Sequence, residues 1–156
     1  MNESLSLDAS NCLMASERIQ IPFFDIDLAG IVWHGHYLKY FELARCTLLE
    51  GVGYSYFEMR DSGFLWPVVD TKIRYINPLI LDQKIRVTAH LKEWELRLVV
   101  DYQVLDEDGA VCTRGTTVQV PVEAKTNTLQ LGSPAVLISN VEQALDKLNR
   151  SHLPDD

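Results

Sequence analysis

At 156 residues, with 47% hydrophobic and 23% charged residues, the chain has the size and mix of one globular domain. A formal net charge of −8 disfavours nucleic acid as a partner, because a phosphate backbone is held by a basic surface. Three cysteines (Cys12, Cys46 and Cys112) are too few and too scattered for a disulfide framework or a zinc knuckle, and a reduced, cytoplasmic setting is the expectation.

Residues 1–18 lack the cationic start and apolar block of a secretory signal, and their Asn, Ser, Asp and Glu suggest a flexible N-terminal arm over 1–17. No apolar run approaches the roughly 20 residues of a membrane span, so no membrane insertion is expected. Residues 18–24 read as a short strand running into a polar, Gly-containing turn at 25–30. From Tyr37 the positions Tyr37, Tyr40, Phe41, Ala44 and Leu48 recur at helical spacing, with Lys39, Glu42 and Arg45 off the stripe. Gly51 is a natural stop for that helix. Ser55 and Glu58 have capping-box spacing and open a short second helix ending near Gly63.

The period then changes from helix to strand. Residues 64–76 predict one long strand stopped at Asn77-Pro78. Residues 84–92 alternate, with Ile85, Val87, Ala89 and Leu91 facing one way and Lys84, Arg86, Thr88, His90 and Lys92 the other. Leu96, Leu98, Val100, Tyr102 and Val104 repeat the pattern, and Asp108-Gly109 predicts a hairpin turn into 110–120. A short strand is expected over 128–131. Ser139 and Glu142 form another capping-box match, opening an amphipathic C-terminal helix with Val141, Ala144, Leu145 and Leu148 inward. The whole reads as α+β, one long helix packed on an antiparallel sheet, with an extra C-terminal helix.

Residues 25–37 are dense in reactive side chains: Asp25 and Asp27, then His34 and His36, immediately ahead of the long helix. Both pairs have i, i+2 spacing, but no second ligand cluster follows (His90 and His152 are isolated), so metal binding is disfavoured. A turn-capping role is at least as good a reading for Asp25 as a chemical one. Acyl-transfer chemistry accounts for more of the segment. Thioester hydrolysis needs a nucleophile or base for the carbonyl carbon and donors for the developing oxyanion. A carboxylate just upstream of a helix N-terminus offers both, because the first N–H groups of a helix lack intrahelical acceptors.

Asp25, Asp27, Gly30, Val32, His34 and Tyr37 match an Asp-x-Asp-x-x-Gly-(hydrophobic)-Val-x-(aromatic or His)-x-x-Tyr signature, and residues 40–45 on the helix extend the match. In this the chain resembles the 4-hydroxybenzoyl-CoA thioesterase-like family of hotdog proteins over roughly residues 18–125. The resemblance implies a hotdog domain over 18–131, followed by a C-terminal helix and tail over 132–156. It implies hydrolysis of an acyl-CoA or acyl-carrier-protein thioester without a cofactor, with Asp27 as the catalytic carboxylate, nucleophile or general base. The backbone N–H at His34 becomes the oxyanion donor, and Gly30, Val32, Trp33 and Tyr37 the substrate contacts, with Phe64 as a further candidate. It also implies a homodimer or homotetramer whose sites lie at the subunit interface. Two alternatives are a non-catalytic acyl-thioester-binding protein and a hotdog dehydratase, though the latter places its His and acid at other spacings.

Overall fold

The computed structural model describes residues 5–151. His152 and the ends of the expected arm and tail lie outside the described residues. In chain order the elements are β1 (Ser6–Leu7), β2 (Leu13–Gln20), α1 (Tyr37–Gly51), α2 (Tyr56–Asp61), β3 (Phe64–Leu65), β4 (Val68–Tyr75), β5 (Lys84–Glu93), β6 (Leu98–Leu105), β7 (Val111–Gln119), β8 (Val122–Glu123), β9 (Thr128–Leu129) and α3 (Ala135–Ser151). The main sheet is antiparallel in the order β1-β2-β5-β6-β7-β4, and β3, β8 and β9 form a small second sheet. This is the α+β layout expected, with β4 and β1 at the two edges.

The long helix lies on the inner face of this sheet because the alternation in the strands meets the helical stripe. Ile85, Val87, Ala89 and Leu91 of β5, and Leu98, Val100, Tyr102 and Val104 of β6, are all buried, as are Tyr37, Tyr40, Phe41, Ala44 and Leu48 of α1. Each fully buried side chain of this size contributes about 1.5–3 kcal/mol. Phe41 stacks flat on Tyr102, with ring centroids 4.5 Å apart. Gly115 on the neighbouring strand permits the stack, since a Cβ there would lie 2.3 Å from the Phe41 ring. Arg45, expected off the stripe, is instead buried. Its guanidinium reaches inward to donate to the Tyr102 hydroxyl (3.3 Å) while pairing with Glu42 (3.5 Å) on the helix surface.

The strand boundaries move where apolar packing or proline overrides the local pattern. β2 begins at Leu13, inside the expected arm, because Leu13 and Ala15 are core residues, Leu13 paired with Leu7 of β1 and Ala15 with Ala89 of β5. It ends at Gln20, and Pro22 turns the chain into a single 3-10 turn at Phe23–Asp25. The single strand expected over 64–76 is two. Pro67 carries no N–H for a ladder, and Trp66 before it is anchored sideways, its indole donating to the Tyr54 hydroxyl and its carbonyl accepting from the Gln119 side chain. Leu96 lies in the exposed β5–β6 turn rather than in a strand. Ser55 precedes α2 as expected, but its side chain makes no capping bond. α3 starts at Ala135, four residues before the expected box: Pro134 supplies the first carbonyl, and burial of Leu137 draws the extra turn into the helix.

Candidate active site

The segment between β2 and α1 is a closed loop, not an open connection. An antiparallel bridge joins Ile26 to Val32, and the Trp33 N–H donates to the Asp25 carbonyl (3.0 Å). Inside it, the Asp27 N–H donates to the Ile31 carbonyl (2.9 Å), and the Gly30 N–H returns to the Asp27 carbonyl (3.0 Å). Gly30 sits at φ +79°, a conformation a side chain disfavours, which is why the turn needs glycine there. Asp27 Oδ1 accepts the Ala29 N–H (2.8 Å), so the carboxylate is oriented by its own turn while the residue stays half-buried. Around the loop stand exposed apolar side chains: Phe23, Phe24, Leu28 and Trp33.

Asp25 has the opposite environment. It is 1% exposed, accepts both Oδ contacts from the Lys39 ammonium (2.8 and 2.9 Å) and a hydrogen bond from the Tyr40 hydroxyl, and lies 3.9 Å from His36 Nε2. Burial pushes its carboxyl up. The Lys39 ammonium and the Tyr40 hydroxyl more than offset that, and Asp25 is held below the ordinary carboxylate range. The Tyr40 hydroxyl is driven far above its usual value by burial and by Asp25. Both oxygens of this carboxylate are engaged by residues of α1, so Asp25 ties the loop to the first turns of the helix.

The start of α1 is prolonged by a 3-10 turn, His34–His36. The Trp33 N–H goes to Asp25 and the His36 N–H to the Trp33 carbonyl; among the described residues, the His34 and Gly35 N–H groups have no backbone acceptor. They are the orphan donors of the helix start, at its positive dipole end. The peptide is fixed from outside the loop: the Tyr75 hydroxyl, at the end of β4, donates to the His34 carbonyl (2.6 Å), and the Tyr75 ring meets Tyr37 edge-on at 4.9 Å. Trp33 folds over Gly35, where a Cβ would strike its ring at 2.2 Å, and touches the rings of His34 and His36.

The loop therefore gathers Asp27, Gly30, Trp33 and His34 at one end of the sheet. Val32 and Tyr37, expected among the substrate contacts, are each 2% exposed and belong to the core. Val32 is pinned by its N–H to the Leu79 carbonyl (2.9 Å), and burial raises the Tyr37 phenol. Both pack closely in this structure, where they support the loop from beneath. Phe64 is remote from the loop, lining a groove of about 580 Å³ between α1 and the β3–β4 corner with Glu42, Arg45, Leu49, Met59 and Trp66. Lys39, Tyr40 and Tyr75 are the supporting residues that sequence reasoning missed. Among the described residues, no three His, Cys, Asp or Glu side chains come together in a metal-binding group.

Residues 21–155 match the family model described as the thioesterase-like superfamily, which is most of the chain. The chain belongs to this superfamily. Among curated proteins it is similar to YneP of Bacillus subtilis (strain 168), described as a candidate acyl-CoA thioesterase, at 27% identity over 70% of this chain and 80% of that protein. It is also similar to a candidate esterase of Aquifex aeolicus (strain VF5), at 34% identity over 64% of this chain and 78% of that protein. Among solved structures, the DHNA-CoA thioesterase from Staphylococcus aureus superposes with a TM-score of 0.76 at 23% identity, over 91% of this chain and 97% of the other. The superfamily member described here thus has the hotdog fold. Among its described residues, no helix is long and apolar enough to cross a membrane.

Proposed function

We propose that this superfamily member is a thioesterase that hydrolyses an acyl-CoA or acyl-carrier-protein thioester to the free acid and the thiol, with Asp27 as its catalytic carboxylate. The observation that carries the reading is the juxtaposition in one closed loop of an oriented, half-buried Asp27 with the free N–H groups at the start of α1. The names of the related proteins point the same way. The thioester carbonyl oxygen sits against the His34 N–H, which takes up the negative charge that develops there. Asp27 then acts in one of two ways. It attacks the carbonyl carbon, expelling the thiolate and leaving a mixed anhydride that water cleaves. Alternatively it takes a proton from water, whose hydroxide attacks while the thiolate leaves and is protonated. The scheme needs water and no cofactor, and a cytoplasmic setting suits its reduced thiol product.

The reading includes a homodimer as the smallest active unit. β4 is an edge strand of eight residues with exposed Val68, Val69 and Tyr75, and such an edge is a template for pairing. If two β4 strands pair antiparallel across a two-fold axis, the Tyr75 end of one meets the Val68 end of the other. Each Asp27 loop then faces the partner's groove beside Phe64 and Met59, which offers an apolar berth for the acyl chain. The exposed fringe of Phe23, Phe24 and Trp33 gains cover in the same way.

A thiol-release assay over a panel of aliphatic and aromatic acyl-CoAs tests the proposal. Turnover on at least one class, well above the uncatalysed rate, is expected. Saturable binding of acyl-CoA with no thiol release would assign the chain to non-catalytic binding instead.

A further inference from the structure

The face of the main sheet turned away from α1 carries a charge distribution the chain's net charge does not foretell. Strand register places Arg74 of β4 directly opposite Arg114 of β7, with Gln103 of β6 next in the row. In the adjacent row Lys72 lies opposite Thr116, followed by Asp101 and His90, and Lys92 is two residues on from His90 along β5. These side chains line a cleft of about 590 Å³. The chain has a net charge of −8, yet in this cleft four cations (Lys72, Arg74, Lys92 and Arg114) face two acids (Asp8 and Asp101), and neither acid forms an ion pair with any of the four. Asp101 is held by the Thr116 hydroxyl (2.8 Å). Asp8 is held by His90 Nδ1 (2.7 Å) and by the N–H groups of Ser10 and Cys12. The other His90 nitrogen faces the Thr88 hydroxyl at 2.9 Å, so the imidazole is committed as well. Among the described residues, no carboxylate comes within ion-pair distance of Lys72, Arg74 or Arg114.

Like charges directly opposite on neighbouring strands destabilise a sheet. A sequence rich in Asp and Glu that leaves two opposed arginines and a flanking lysine uncompensated has a surface that an anion would complete. We propose that this cleft is a binding site for a di- or polyphosphate group. The guanidinium fork matches phosphate oxygens two at a time, and Lys72 and Lys92 add point charges at the rim. A second copy of the chain does not fit, because the same face would meet itself with like charge. Nucleic acid does not fit either, since no exposed aromatic side chain lines the cleft to stack a base and the rest of the molecule repels a polyanion. A compact, highly charged group remains, either the phosphorylated end of a CoA thioester or a free phosphate metabolite. Anion binding here does not use Asp27, so its test stands or falls separately from that of the proposed hydrolysis.

Calorimetric titration of the full chain with inorganic pyrophosphate, at about 50 mM salt to limit screening, tests this directly. Saturable binding of one pyrophosphate per protomer is expected, unchanged in Asp27→Asn. It should be weakened about tenfold or more in the double variant Arg74→Gln, Arg114→Gln, since each charged hydrogen bond lost is worth about a factor of ten. The double variant should also melt at a higher temperature than the parent without anion, because the opposed charges are gone, and it should lose the anion-induced rise. Displacement of pyrophosphate by adenosine 3′,5′-bisphosphate identifies the CoA end as the source; undisplaced pyrophosphate identifies a free phosphate. Unsaturable binding, or equal binding by parent and double variant, overturns the proposal.

Discussion

Replacing Asp25 by Asn separates the structural carboxylate of the loop from Asp27, the one proposed as catalytic. In the native protein the Asp25 side chain accepts from Lys39 and Tyr40 in a site that is 1% exposed. Breaking a fully buried ion pair costs about 3–5 kcal/mol, because the surviving charge is stranded. Here the stranded ammonium belongs to Lys39, whose side chain is 47% exposed and can return to water, while Asn can still accept from Tyr40. The cost should therefore fall to about 2–3 kcal/mol, a loss of one strong charge-assisted pair. For a chain of this length that lowers Tm by about 5–10 °C. The pH dependence has a definite sign. Asp25 titrates below its unfolded value of about 3.9, so its contribution is complete above that pH and disappears as pH falls through the lower folded value. Urea titrations of parent and variant at one protomer concentration, from pH 7 to pH 3, should show a constant gap down to about pH 5 that closes below about pH 4. A gap under about 0.5 kcal/mol at pH 7, or one that does not close in acid, would refute the assignment of Asp25 as the tie between loop and helix.

Three further outcomes are expected. His34→Ala spares the backbone donor and should retain far more turnover than His34→Pro, which removes an N–H worth roughly 3–4 kcal/mol to an oxyanion; kinetics with circular dichroism to verify folding decides, and equal losses would make the imidazole itself catalytic. Gly115→Ala places a methyl 2.3 Å from the Phe41 ring and against the Lys72 carbonyl, so it should cost about 1–3 kcal/mol in urea unfolding, with no measurable loss showing that the Phe41–Tyr102 stack can yield. Light scattering at micromolar concentration should give a dimer or larger species, and a fully active monomer would remove the shared-interface picture.

Much of this fold is legible in the sequence because its signals are local. The α1 stripe and the alternation in β5 and β6 each state within a dozen residues which face is buried. Pro67 is an equally local signal, since a proline without an N–H divides a continuous strand pattern. What could not be read are the pairings across the fold. Lys39 and Tyr40 find Asp25 only because the loop folds back on α1, and Tyr75 reaches His34 from 41 residues away. Arg45 looks like a surface residue on a helical wheel and is buried because Tyr102 offers its hydroxyl. The signature at 25–37 pointed to the loop but not to its division of labour. Asp25 and Asp27 are two residues apart and chemically alike, and only tertiary contacts spend one inside the protein and leave the other half-buried at the surface.

The most direct test of the account is the rate of thiol release by Asp27→Asn on the best acyl-CoA found for the parent. Asn keeps the shape of the side chain and its oxygen can still accept the Ala29 N–H, so the variant should fold and melt like the parent. Loss of a nucleophile or general base should lower kcat by about 10²-fold or more. A folded Asp27→Asn protein that turns over at close to the parental rate would contradict the central claim.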